Sequence, residues 1–279
     1  MLELEHRFRV VDVQARIDPT GDEDDARGRA ITPEKLEREM RQAGVVRSVV
    51  YPAPPGDGSY LGANNAVARL SVDRPFVTFA RIDGPRAPGD GAAARVRNLT
   101  AARADHHTAP EGVEQYAYDD RFHGFKLDPA VDGLPDDAVL DALADVGLPV
   151  LVHGGESFPP SSLAEALLDR PFPVVYEHFG AHPLRRELMD DAIALLDRHE
   201  NLYLDTSFVR YRDELERALR EHPDRVLFGS GAPATHPNVG VMELLTLNVP
   251  EDTMRKAFSK NAARVVEALG PDWRTGTPS

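Results

Sequence analysis

The sequence predicts a single-domain α/β fold, the closed (β/α)8 TIM barrel, on three observations. Eight short runs rich in β-branched and aromatic residues recur along the chain, a helical stretch follows each, and no glycine-rich turn follows the first. Strict alternation makes the strands parallel, and eight such units are what closing the barrel requires. An open doubly wound sheet with a dinucleotide site would need the glycine turn.

The first run, residues 10–15 of "VVDVQARID", reads as a strand with Val11, Val13, Ala15 and Ile17 on one face and Asp12, Gln14, Arg16 and Asp18 on the other. Thr32 can cap the first helix, residues 32–44; Pro33 suits its first turn and Gly44 its end. "VVRSVVY" (45–51) is the second strand, and a helix over 63–70 leads to the third, "FVTFARI" (76–82). Helical "AAARVRNLTAARA" and an irregular stretch precede "HGFKL" (123–127). "PDDAVLDALADVG" is a helix with an acidic first turn and a closing glycine, and "PVLVH" (149–153) is the fifth strand. Helix 162–168 leads to strand 173–178, helix 184–199 to strand 201–205, and helix 213–221 to strand 225–230. A helical region over 251–268 completes the alternation. Segments 20–30 and 52–61, rich in Gly, Asp and Pro, follow the first two strands and are expected as active-face loops or lids. One domain is expected over residues 1–279, with 270–279 as a flexible tail.

Composition narrows the class. Of 279 residues, 42% are apolar and 28% charged, as in a soluble globular protein. No apolar run approaches the roughly 18 residues of a membrane span, and the N-terminus lacks the pattern of a signal peptide. The absence of cysteine excludes disulfides and thiolate metal sites, so a cytoplasmic protein is expected. A net charge of −14 argues against nucleic acid and anionic membrane as partners. Only four lysines occur; an acidic, lysine-poor chain fits a high-salt cytoplasm or a GC-rich genome equally.

Reactive groups of such a barrel sit at the C-terminal ends of its strands. There the chain offers, in order, Gln14 and Arg16, Tyr51, Arg81, Lys126 and Asp128, His153 and Glu156, Glu177 and His178, Asp205 and Ser207, then Ser230 and Gly231. Two histidines ending consecutive strands are the usual beginning of a metal site.

These stretches resemble the amidohydrolase-related metal-dependent hydrolases, in the "amidohydrolase 2" branch that includes decarboxylases and lactonases. "VVDVQARI", "GFKLDP", "LPVLVHGGE", "VVYEHFGAHP", "NLYLDTSF", "RVLFGSGAP" and "KNAARV" match that family's motifs in order, from the first strand to the last helix. The resemblance implies a divalent cation held by His-x-His on the first strand, histidines on the fifth and sixth, and an aspartate after the eighth. His153 and His178 match; the first-strand pair is Gln14 and Arg16, and the aspartate is Gly231. Asp128 stands where many relatives have histidine. Gln is a poor zinc ligand, Arg is none, and a guanidinium repels a dication. The expectation is therefore that no metal is bound and no cofactor is used.

Three functions stay open on this reading. In the preferred one, a metal-independent, lactonase-like hydrolase acts on a small, anionic, carboxylate-bearing substrate. His153, His178 and Lys126 are its catalytic candidates, while Gln14, Arg16, Tyr51, Arg81, Asp128, Glu156 and Asp205 line the substrate site. The second is an inactive barrel kept for binding or assembly, with Arg16 neutralised by Asp12, Asp128 or Glu156. The third is a rebuilt zinc site using His153, His178 and one of Glu156, Glu177 or Asp205. His182 and His236 are expected as loop residues. A homodimer is compatible with the resemblance.

Overall fold

The computed structural model describes residues 6–18, 32–54, 60–89 and 92–273. Eight parallel strands pair in sequence order: β1 (Val10–Ile17), β2 (Val45–Pro52), β3 (Phe76–Arg81), β4 (Phe122–Leu127), β5 (Val150–Val152), β6 (Val174–Tyr176), β7 (Leu202–Asp205) and β8 (Val226–Leu227). Backbone bonds from Val13 N to Phe228 O (3.0 Å) and from Arg16 N to Ala232 O (2.9 Å) join the first strand to the segment after the last and complete the ring.

Two apolar layers hold it. Val11, Val13, Val49, Val77, Phe79, Leu151, Val175 and Leu227 fill the interior, and Ala262, Val266 and Leu269 of the C-terminal segment pack against them. Outside, Ile17, Val50, Ala80, Val152 and Leu204 meet helix residues such as Leu36, Met40, Leu140, Leu143, Leu215 and Leu219. Each large aliphatic side chain buried this way is worth about 1.5–3 kcal/mol.

The first strand departs from strict alternation. Asp12 pairs with Ser48 and Ala15 with Val50, so three steps along β1 match two along β2. This bulge reverses the phase of the strand. Val11 and Val13 belong to the interior layer, Ala15 and Ile17 to the outer one, and Gln14 and Arg16 face inward beyond the bulge. Asp12 does not face the cavity. Its carboxylate accepts from Ser230 Oγ (2.6 Å), Ser230 N (2.8 Å), Gln14 N (3.0 Å) and Ser48 Oγ (3.2 Å), tying β1 to β2 and to the loop after β8.

Capping follows sequence chemistry. Thr32 Oγ1 accepts from Lys35 N at 3.3 Å to start helix Pro33–Gln42, and Asp136 caps Asp137–Val146 through Val139 N at 3.1 Å. Two helices were not foreseen: Pro110–Tyr118 in the irregular stretch, and Pro237–Leu245, which His236 caps through Asn238 N. The helix expected over 92–104 ends at Asn98, whose side chain bonds both polar groups of the Ala87 backbone. Trp273, in the expected tail, packs edge-on against His123 at 5.2 Å; residues 274–279 lie outside the described ones. So do 20–30, and 55–59 of the second expected loop. Among the described residues, no helix is long and apolar enough to cross a membrane.

Candidate functional site

Regular strand geometry would send Glu177 and His178 to opposite faces, since neighbouring side chains alternate. Instead β6 ends at Tyr176, and His178 (φ +60°), Phe179 (φ +50°) and Gly180 (φ +64°) follow in the left-handed region. The turn lets both side chains line the same cavity. Only glycine fits at 180, because a Cβ there would lie 2.0 Å from the Tyr176 ring. Left-handed conformation at His178 and Phe179 costs about 1–3 kcal/mol each. Asp205 supports the turn: its Oδ1 accepts from His178 N (3.1 Å), Ser207 N (2.9 Å) and the Ser207 hydroxyl.

That hydroxyl is thus committed as a donor, so Ser207 Oγ accepts from His178 Nδ1 at 2.7 Å. The remaining ring nitrogen, Nε2, carries the lone pair and lies 3.6 Å from Glu177 Oε2. Burial, then the neighbouring His153, holds the His178 pKa well below the usual imidazole value.

Glu177 is fully buried. Its Oε1 accepts from Lys126 Nζ at 2.7 Å and, more distantly, from Tyr51 OH at 3.4 Å; its Oε2 meets His153 Nδ1 at 3.0 Å. Burial alone would raise its pKa, but the Lys126 charge and the His153 bond outweigh it and hold the carboxyl far below its ordinary range. Tyr51, in turn, is kept protonated by burial and by the Glu177 charge, its pKa pushed well above 10. Gln14 Nε2 donates to the Tyr51 oxygen at 2.8 Å.

A cavity of about 210 Å³ opens over this network at the C-terminal mouth of the barrel. Eight of the ten residues singled out from sequence line it: Gln14, Arg16, Tyr51, Arg81, Lys126, Asp128, His153 and His178. Two do not. Glu156 is exposed and paired with Arg185 at 2.5 Å, and Asp205 lies beneath His178, its pKa pushed up to about 7 by burial and then by Glu177. The cavity adds Glu177, His182 and Phe208. His182, expected as a backbone-bonding loop residue, stands at the exposed rim with its ring 5.3 Å from His153 and 5.5 Å from His178.

Arg81 is consumed structurally: Nε donates to Asp132 Oδ2 at 2.8 Å, and a second nitrogen lies 3.7 Å from Asp128 Oδ2. Lys126, one of the catalytic candidates, is committed to Glu177. Arg16 has no ion pair within the described residues, and its Nε is buried without a partner. Neutralisation by Asp12, Asp128 or Glu156 is therefore not what the structure shows. At Gly231 (φ +73°) a Cβ would lie 2.7 Å from the Phe208 ring, so the packing itself opposes an aspartate there.

Fold and site together define a (β/α)8 barrel with an ionisable, histidine-rich cavity at its mouth. A family model described as Amidohydrolase matches residues 8–267, and the chain belongs to that family. Similar solved structures include an uncharacterized TIM-barrel protein from Bordetella bronchiseptica, 22% identical over 94% of this chain and 100% of that one, with a TM-score of 0.68. The 5-carboxyvanillate decarboxylase of Sphingomonas paucimobilis is 18% identical over 94% and 99%, with a TM-score of 0.65. A dihydroxybenzoic acid decarboxylase from Polaromonas sp. JS666, with bound manganese and the inhibitor 2-nitroresorcinol, is 14% identical over 97% and 100%, with a TM-score of 0.62. At such identities the likeness shows the fold. No curated protein matches.

The expectation of no metal is overturned. A neighbour of the same fold holds manganese, and ligand atoms of His153, Glu177 and His178 all lie within 4.8 Å of one another. The expectation weighed what Gln14, Arg16 and Gly231 had lost. It could not see that the turn after β6 brings a buried carboxylate to both histidines. Two imidazoles and one carboxylate are a common catalytic donor set for a divalent ion. The fit has a specific sign in this chain: Nε2 of His178 and Oε2 of Glu177, both acceptors, face each other, an arrangement that a cation between them relieves.

Proposed function

We propose that the chain is a hydrolase for a small carboxylate-bearing substrate, using a divalent cation held by His153, Glu177 and His178. The observation that carries the reading is Arg16, a guanidinium with a buried, unpartnered Nε on the wall of the histidine cavity. Such a group binds carboxylate strongly. The names of two structural neighbours, decarboxylases of aromatic acids, support a carboxylate on the ligand.

Each residue then has a task. Arg16 anchors the substrate's carboxylate. Lys126 keeps Glu177 ionised, and Ser207 fixes the His178 tautomer. When bound, the cation supplies Lewis-acid polarisation of a carbonyl. His182, the one imidazole of the three outside the donor set, is assigned to proton transfer. Phe208, edge-on to His178 at 5.0 Å, shields that ring from solvent.

Metal analysis combined with a panel of carboxylate-bearing lactones and amides tests this. Roughly one divalent ion per chain is expected, lost in His178→Ala and in Glu177→Gln. Arg16→Ala should raise KM about tenfold or more on any substrate that is turned over. A chain that takes up neither Mn²⁺ nor Zn²⁺ on dialysis, or an unchanged KM in Arg16→Ala, would defeat the proposal.

A further inference from the structure

Among the described residues, three side chains that line the cavity each hold a buried polar atom without a hydrogen-bond partner: Arg16 Nε, Gln14 Oε1 and Asp128 Oδ1. Buried polar atoms are rarely left unpaired, so three around one cavity describe the groups a ligand must bring.

The orientation of Gln14 is fixed by its neighbours. Tyr51 gives its single proton to Glu177, so its oxygen can only accept from Gln14, which must present its amide nitrogen there. Gln14 Oε1 is left as an acceptor. Asp128 is a second acceptor and an anion: Arg81 lies 3.7 Å from its Oδ2, and no described residue bonds its Oδ1. Arg16 is a donor and a cation.

The two charges do not meet. Arg16 is paired in register with Tyr51 on β2, and Arg81 on β3 with Lys126 on β4, the strand that Asp128 follows. Two strands and the Tyr51 and Arg81 side chains therefore stand between them. The cavity presents a positive donor on one wall and a negative acceptor further round. A ligand with a carboxylate alone would satisfy Arg16 and leave Asp128 Oδ1 and Gln14 Oε1 buried and unpaired.

We infer that the ligand is a zwitterion, an amino acid in the broad sense, whose carboxylate pairs with Arg16 and whose ammonium group pairs with the Asp128 carboxylate. Gln14 Oε1 takes a further N–H or O–H of the same molecule. Asp128 thus selects the amine. This rests on the cavity being the carboxylate site proposed above, and it specifies the other end of that molecule.

The test is calorimetric titration of the full chain, dialysed against Mn²⁺, with ω-amino acids from glycine to 6-aminohexanoate. Each is compared with the alkanoate and the ω-hydroxyalkanoate of equal length. At one chain length or more, the amino acid should bind at least about tenfold tighter than both comparators. Asp128→Asn should erase that preference, bringing the amino acid's affinity to that of the alkanoate of equal length. Equal binding of all three classes at every length, a preference that survives Asp128→Asn, or no binding by any member would overturn the inference. Should Asp128→Asn prove unfolded by its melting curve, the series on the unaltered chain still decides. Alkanoates bound without amine preference would leave the hydrolase reading standing. Amine preference in a chain that takes up no cation would do the reverse.

Discussion

Lys126 is the residue whose removal should be felt most. It is one of the few fully buried lysines a globular chain can keep, held by Glu177 at 2.7 Å and lying over the Tyr51 ring at 5.1 Å. Lys126→Met leaves an ionised carboxylate buried without its main counter-charge, a loss of about 3–5 kcal/mol. Urea unfolding of metal-stripped protein should show this, and a double variant with Glu177→Gln should regain much of it. Equal stability of the single and double variants would contradict the pairing. Asp12 behaves differently, because burial pushes its pKa from 3.8 up to about 6, despite four hydrogen bonds that lower it. The folded chain holds that proton more tightly than the unfolded chain does. The contribution of Asp12 is therefore most favourable below pH 3.8 and declines as pH rises to about 6. The full change is about 3 kcal/mol. Asp12→Asn, which cannot titrate, should gain on the parent chain by up to that amount across this window and no further above it. Parallel curves of stability against pH would refute the assignment.

At the level of elements, the loops after β6 and β8 decide the chemistry. Restoring the family's aspartate by Gly231→Asp should not recreate a ligand cheaply. A left-handed backbone costs an ordinary residue about 1–2 kcal/mol, and the new Cβ would lie 2.7 Å from Phe208. Thermal unfolding should show a lowered midpoint, partly recovered by adding Phe208→Ala; no change in the midpoint would show that the loop yields. The same loops mark the limit of what the sequence reveals. Alternation of strand and helix is a long-range pattern, so all eight units were legible, and so was the cap at Thr32. Helix Pro237–Leu245 was not: Gly240 and the β-branched Val239 and Val241 weaken its propensity, and His236 is an unusual cap. Eight cavity residues could be named because strand ends converge. The choice of Glu177 over Glu156 and Asp205 could not be made, since it depends on three successive left-handed residues that no local motif announces.

For the molecule as a whole, the charge of −14 is carried by a surface on which arginine–carboxylate pairs, such as Arg212 with Glu216 and Arg217 with Asp190, are individually worth little. Net repulsion should dominate, so the melting midpoint should rise by a few degrees between low salt and about 1 M NaCl. A falling midpoint would show that the ion pairs matter more than the net charge. The extra half-step in β1 also has an evolutionary reach. Because it uncouples the valines at the floor from the Gln14–Arg16 pair at the rim, the rim can be rewritten for a new guest while the floor keeps the ring shut. Paired as a uniform ladder from Val11 onward, the same residues would turn Ala15 inward and swing the guanidinium out among the helices. One irregular step can thus separate a receptive barrel from a sealed one.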